Sequence, residues 1–304
     1  MKQISILICL CLFISQFNVF AQLPTPSSGR IVRVENFSSK YVPVRNVDVW
    51  LPGNYTPSKK YAVLYMHDGQ MLFDSTNTWN HQEWGVDECF TQHAKNLPNT
   101  IVVGVWNSGK HRHVDYFPQK PYESLSQQEQ ERIATYVRNQ AALFADGIRS
   151  DKYLQFLVYE LKPFIDSVFA TYKDASHTAI AGSSMGGLIS MYAICEYPQI
   201  FGSAACLSTH WPGIFTIENN PIPNAFAQYL KTHLPNPASH KLYFDYGTKT
   251  LDSLYEPYQK VIDKVMQVGG YTHKNWMTIK YENDDHSEQA WRKRLSVPLK
   301  FILN

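Results

Sequence analysis

Apolar runs rich in β-branched and aromatic residues recur along the chain at 30–34, 44–51, 61–67, 100–106, 178–181, 203–208, 241–246 and 277–281, and predict eight strands. The second run alternates, with Val47, Val49 and Leu51 set against Asp48 and Trp50, as expected of an antiparallel edge exposed on one face. The third and fourth are nearly unbroken (62–66 and 101–105), as expected of parallel strands covered on both faces. Helical spacing falls between the runs. Tyr153, Phe156, Leu157, Glu160, Leu161 and Phe164 share one face ahead of the 178 strand, and Tyr258, Val261, Ile262, Val265 and Met266 share another ahead of the 277 strand. Further helical patterns cover 188–195 and 291–303. Strands alternating with helices predict a doubly wound α/β sheet. Residues 119–150, rich in Gln, Ser and Glu before 136–144, break the rhythm and are a candidate lid insertion.

The first residues change the picture of where the protein acts. Lys2, the apolar run 4–13 and the small Ala21 before Gln22 fit a secretory signal peptide over 1–21, and so a secreted or periplasmic protein. The rival reading is an uncleaved anchor, against which the short apolar core counts. A lipoprotein would carry Cys where Gln22 stands. Residues 22–29 then form a linker and 30–304 one α/β domain. The formal charge of +2 loses only Lys2 with the leader, leaving +2 − 1 = +1, and a nearly neutral protein has no electrostatic case for nucleic acid. Beyond the leader no stretch is long enough to span a membrane. Cys89, Cys195 and Cys206 are widely spaced, which fits buried apolar positions better than a disulfide framework or a zinc site, although one bridge stays open.

The chemistry is concentrated in Gly182, Ser183, Ser184, Met185 and Gly186, a G-x-S-x-G pentapeptide between a strand run and a helix pattern. A sharp strand-to-helix turn exposes the central Ser184 hydroxyl in a strained conformation, with the following amide aimed at the same point. Such a nucleophile needs a base, an acid to orient the base, and two N–H donors for the oxyanion. His286 lies in a polar loop behind the last strand, where the base belongs. The acid should follow the preceding strand. Asp252 is the choice there, with Asp245 (inside the strand) and Glu256 (a turn further on) as alternatives, and a helix N-cap as the bland role for Asp252. The donors expected are the amides of Gln70, in the Asp68-Gly69 turn after the third strand, and Met185. Trp106, Asn107, Arg112, His210 and Trp211 follow the fourth and sixth strands and are candidates for holding substrate at the carboxyl edge. Arg112 could equally pair with Asp115 or Asp87, and Trp211 could equally close the core. The chain has neither His-Glu-x-x-His nor a phosphate-binding Gly loop, so no metal or cofactor is expected.

Several segments together, 45–52, Met66-His67-Asp68-Gly69-Gln70, 102–107, Gly182-Ser183-Ser184-Met185-Gly186-Gly187, 207–211 and His286-Ser287-Glu288, resemble the putative esterase family. This is the esterase D and enterobactin-esterase-like branch of the α/β-hydrolases, which includes feruloyl and acetylxylan esterases. The likeness spans about 30–303. It implies the α/β-hydrolase fold, a Ser-His-Asp triad with an acyl-enzyme, and a small-molecule or oligosaccharide ester as substrate. The family's oxyanion loop matches Asp68-Gly69-Gln70, and its Ser-Met pair matches Ser184 and Met185. Its acid loop matches less closely, because the carboxylate often follows the Gly-Thr turn sooner than Asp252 does. Other readings are a siderophore or general carboxylesterase, or a catalytically idle hydrolase fold that binds a glycan.

Overall fold

A computed structural model describes residues 22–138, 141–144 and 147–304; the predicted leader, 1–21, lies outside them. All eight predicted strands form and join in one sheet: β1 Arg30–Phe37, β2 Arg45–Leu51, β3 Ala62–His67, β4 Thr100–Val105, β5 Thr178–Ser183, β6 Ser203–Leu207, β7 Lys241–Gly247 and β8 Trp276–Tyr281. Their spatial order is β1-β2-β4-β3-β5-β6-β7-β8. The β1–β2 and β2–β4 pairs are antiparallel and the other neighbours run parallel. This is the α/β-hydrolase arrangement implied by the resemblance.

The parallel strands are buried at every position of β3, β4, β5 and β6, which accounts for their unbroken apolar runs. Because side chains alternate across a strand, Val63, Tyr65, Ile101, Val103 and Ile180 enter one core while Leu64, Met66, Val102, Ala179 and Ala181 enter the other. The first core is covered by α2, made of Ser150–Phe156, a π-turn at Leu157–Leu161 and Lys162–Val168, together with α3 Met185–Glu196, α4 Ile222–His233 and α5 Glu256–Val268. Pro163 has no N–H to give the preceding turn, and the helix takes its π-turn just ahead of it. The second core is covered by α1 Val86–Gln92 and the C-terminal helices.

Two expectations change. Strand β2 is not open on one face: Asp48 and Trp50 are buried, Asp48 because Arg33 and the Trp106 indole satisfy its carboxylate at 2.7 Å each. The terminal helix pattern at 291–303 is two helices, α6 Glu288–Arg294 and α7 Ser296–Leu303; Pro298 cannot bond back to residue 294 and is accommodated only in the first turn of a new helix. Within the candidate lid, 119–150, the described residues hold two short helices, Gln119–Glu123 and Gln127–Ala134, and two paired antiparallel strands of two residues, Val137–Arg138 and Ala141–Ala142, with Ile133 and Phe144 anchored in the first core. Cys89, Cys195 and Cys206 are buried free thiols.

Candidate active site

The carboxyl ends of β3 to β8 meet along one edge of the sheet. At the end of β5 the chain turns through Ser184 at φ 57°, ψ −119°, outside the regions that L residues favour, and enters α3 at once. The turn is fastened by the Ser184 amide on the Leu207 carbonyl (2.9 Å) and by the Ser184 carbonyl, which accepts from the amides of Gly187 and His210. Strand and helix nearly touch there: a Cβ on Gly182 would stand 2.8 Å from the Gly186 carbonyl carbon, so only glycine fits. Ser184 is part-exposed while its neighbours Ser183 and Met185 are buried, so the turn presents that one hydroxyl.

Asp252 and His286 come together across two loops. His286 Nδ1 lies 2.5 Å from Asp252 Oδ1, while Oδ2 accepts from the Ser208 hydroxyl (2.5 Å) and the Gly247 amide (2.6 Å). Burial would raise the Asp252 carboxyl, but the hydrogen bond and charge of His286, with the Ser208 and Gly247 donors, outweigh it and hold the pKa below the usual carboxylate value. Asp252 therefore sits in a short 3-10 turn, Thr250–Leu254, rather than capping α5. The alternatives lie elsewhere. Asp245 is buried inside β7 against Arg294 (2.9 Å), and Glu256 pairs with Lys260 and Lys280 on the surface of α5. The His286 ring packs edge-on to Trp291 (5.1 Å) and Tyr255 (5.9 Å).

The loop after β3 begins with Asp68 in the left-handed region (φ 56°). Arg112 holds its carboxylate with two bonds of 2.7 Å, and Asn107 adds a third of 2.7 Å. Burial opposes ionisation of Asp68, yet the Arg112 charge and these hydrogen bonds keep its pKa below the usual value. Gly69 lies flat on β4, where a Cβ would be 2.4 Å from the Gly104 carbonyl carbon. The Gln70 side chain accepts from the Asn107 amide (3.2 Å), tying the two loops together beside the elbow.

The residues first assigned to substrate thus fare differently. Arg112 and Asn107 are engaged with Asp68, and neither Asp115 nor Asp87 is the Arg112 partner: Asp115 takes Arg45 and Arg149, and Asp87 takes Ser27 and Ser28. Trp106 is bonded to Asp48 beneath the Arg33 guanidinium. Of the two readings of Trp211 the structure favours closing the core, since it is 1% exposed and its indole N–H is bonded to Gln259 (2.8 Å). His210 is buried too, but it faces Tyr255. Tyr255 and Ser208 were missed in the sequence. Both sit in loops after strands of the carboxyl edge, as do all the residues that were chosen, and that shared position was the available signal.

The sequence from residue 44 to 302 matches the family described as Putative esterase. The chain belongs to that family. The solved structures it resembles agree in fold. One, a ferulic acid esterase, superposes with a TM-score of 0.62 at 18% identity over 90% of this chain and 98% of that one. Another, an IroE-like serine hydrolase from Shewanella oneidensis, gives 0.64 at 16% identity over 90% of this chain and 80% of that one. The uncharacterized protein YjcH of Bacillus subtilis (strain 168) is 25% identical over 178 residues, 59% of this family member and 61% of YjcH, so the alignment leaves more than a third of that relative unmatched.

Proposed function

We propose that this esterase-family protein hydrolyses carboxylic esters through Ser184. His286 takes the Ser184 proton as Oγ attacks the ester carbonyl, and Asp252 keeps the imidazole oriented and offsets the charge it gains. The amides of Met185 and Gln70 receive the oxyanion. Collapse returns the proton from His286 to the departing alcohol and leaves the acyl group on Ser184. Water, deprotonated by His286, then attacks the acyl-enzyme and releases the acid. The observation that carries this reading is the buried Asp252 carboxylate on His286 Nδ1, beside a serine whose backbone is strained only at that residue of the elbow.

For substrate we infer an acetyl or feruloyl ester of a carbohydrate, handled outside the cytoplasm after loss of 1–21. Support comes from the shared fold with a ferulic acid esterase and from the leader pattern of the sequence. Among the described residues no helix is long and apolar enough to cross a membrane. Residues 119–150 remain the candidate lid, and within them Arg132 bonds the Asn219 carbonyl in the loop after β6. The test is hydrolysis of acetyl and feruloyl sugar esters, p-nitrophenyl esters of rising chain length and a catechol siderophore ester by the purified protein and Ser184→Ala. Preference for feruloyl or acetyl sugar esters supports the assignment; selective cleavage of the siderophore ester would replace it.

A further inference from the structure

Of the seven tryptophans, six are committed to the fold. Trp50, Trp84, Trp106, Trp211, Trp276 and Trp291 are buried or part-buried; Trp84 packs on Trp291 at 5.3 Å, and each of the others gives its indole N–H to an acceptor within the molecule. Trp79 is the exception. It is 83% exposed, more than any other aromatic side chain among the described residues, and among those residues its indole has neither a hydrogen bond nor a ring partner. Single apolar side chains on a surface are ordinary. What sets this one apart is the loop that holds it.

That loop is fastened on both sides of Trp79. Ahead of it, the Asp74 carboxylate accepts from the Thr25 and Thr76 amides at 2.9 Å each and from the Asn77 side chain at 2.7 Å, and the buried Thr78 hydroxyl bonds the Ser75 carbonyl at 3.0 Å. Directly after it, the Asn80 side chain donates to Glu288 at 2.9 Å and accepts from the Gln82 amide at 3.2 Å. Glu83 takes Arg292 at 2.6 Å, and Trp84 lies on Trp291, whose ring also backs His286 at 5.1 Å. Glu288, Trp291 and Arg292 all belong to α6, which begins two residues past His286. The neighbours of Trp79 are therefore ordered by bonds to the histidine's own segment, and its ring takes no part in them.

This anchoring says which part of an ester meets the ring. When the tetrahedral intermediate collapses, His286 gives its proton to the departing oxygen, so the alcohol part of the substrate lies on the His286 side while the acyl part stays with Ser184. Trp79 adjoins the Asn80–Glu288 contact on that side. Around its flat apolar face stand exposed polar side chains, Asn77, His81 and Gln289. A sugar ring fits the combination: the C–H groups of one face lie against the negative face of the indole, and the hydroxyls at its rim meet amide and imidazole groups. A purely apolar alcohol would leave those groups unused. Ordering Trp79 on binding fixes only two side-chain torsions, on a loop that is already fixed.

We propose that Trp79 forms a binding subsite for the sugar that is the alcohol part of the ester, and so determines specificity for carbohydrate esters. This rests on the carbohydrate-ester reading above and assigns the sugar to a residue.

The test pairs substrates that share an acyl group: the acetyl and feruloyl esters of a xylo-oligosaccharide, each beside the methyl ester of the same acid. Trp79→Ala should lower kcat/KM for the sugar ester about 10-fold more than for the methyl ester, chiefly through KM, the scale of one lost stacking contact. Trp79→Phe, which keeps an aromatic face, should recover most of the difference, and Trp79→Leu should not. Thermal melts of all three should match wild type, because the ring supports nothing else. Equal losses on both esters would place the ring against the acyl group and overturn the proposal. So would a sugar ester whose turnover stays within twofold of wild type in Trp79→Ala, a Trp79→Leu variant as selective as wild type, or a wild-type protein that cleaves the methyl ester and spares the sugar ester. Calorimetric binding of the unesterified xylo-oligosaccharide to Ser184→Ala, with and without Trp79→Ala, separates the two claims. If wild type cleaves neither ester, the carbohydrate-esterase reading fails on its own; binding weakened about 10-fold by Trp79→Ala then still supports the sugar subsite, and binding that is absent or indifferent to Trp79 removes it.

Discussion

Two carboxylates seven residues apart sit behind the same serine and have different fates. Asp245 and Asp252 are both fully buried, and Ser208 touches both, through its amide to Asp245 (2.9 Å) and its hydroxyl to Asp252 (2.5 Å). Asp245 faces Arg294, a cation that never titrates, in a pair with two bonds of 2.9 and 3.1 Å. Asp252 faces His286, whose charge can change during a reaction. Burial raises the pKa of Asp245 more than Arg294 lowers it, while at Asp252 the donors win and the pKa falls. Burial alone therefore does not identify an acid that assists catalysis. What separates the two is whether the partner is a fixed cation that closes the cluster or a base with its other nitrogen still to use.

The comparison breaks most sharply by substitution. Ser184→Ala and His286→Ala should each lower kcat by roughly 10⁴-fold or more while leaving thermal stability close to wild type. Asp252→Asn should lower kcat by about 10³- to 10⁴-fold, because the amide can no longer hold the imidazole in the reactive tautomer. Asp245→Asn should do the reverse. It leaves the Arg294 guanidinium with only the Asp284 carboxylate at 3.0 Å and should cost up to about 3–5 kcal/mol of stability, with kcat of the folded protein within about tenfold of wild type. Equal kinetic damage from the two Asp→Asn changes, read by steady-state rates and chemical denaturation together, would dissolve the distinction.

A smaller effect sharpens it by pH. Asp252 and Asp68 have folded pKa values below their unfolded ones, so their contribution to stability is complete above about pH 4 and is lost as pH falls through the depressed folded values. Asp245 has a raised folded value and works with the opposite sign, since the folded state binds its proton first as pH falls. Asp252→Asn should therefore flatten the loss of stability below pH 4 by up to about one proton, and Asp245→Asn should not flatten it. Ser208→Ala should show the mildest change, about tenfold in kcat and 1–2 kcal/mol in stability, because its hydroxyl also receives Trp291 and Arg294 at 2.9 Å each.

How much of this was legible in the sequence follows from how local each signal is. The strands were readable because parallel strands buried on both faces produce unbroken apolar runs, and the elbow was readable because Gly182 is required by its close contact with Gly186, only four residues on. The contact between His286 and Asp252 was readable by chain order against the sheet. Strand β2 misled because its polar residues are paired internally, Asp48 with Arg33 and Trp106, and a pattern cannot tell a satisfied buried charge from an exposed one. Arg112 misled for the same reason: its partner Asp68 is 44 residues away, and no spacing encodes that pair. Trp211, which could have stacked on substrate or closed the core, closes the core.

The central claim is that Ser184 is a nucleophile driven by the Asp252–His286 pair, and fluorophosphonate labelling read by intact mass tests it most directly. The account predicts a single adduct on Ser184 of the wild-type protein, none on Ser184→Ala, labelling slowed by orders of magnitude in Asp252→Asn, and a rate near wild type in folded Asp245→Asn. An adduct that persists in Ser184→Ala, or a rate that Asp252→Asn leaves untouched, would contradict it.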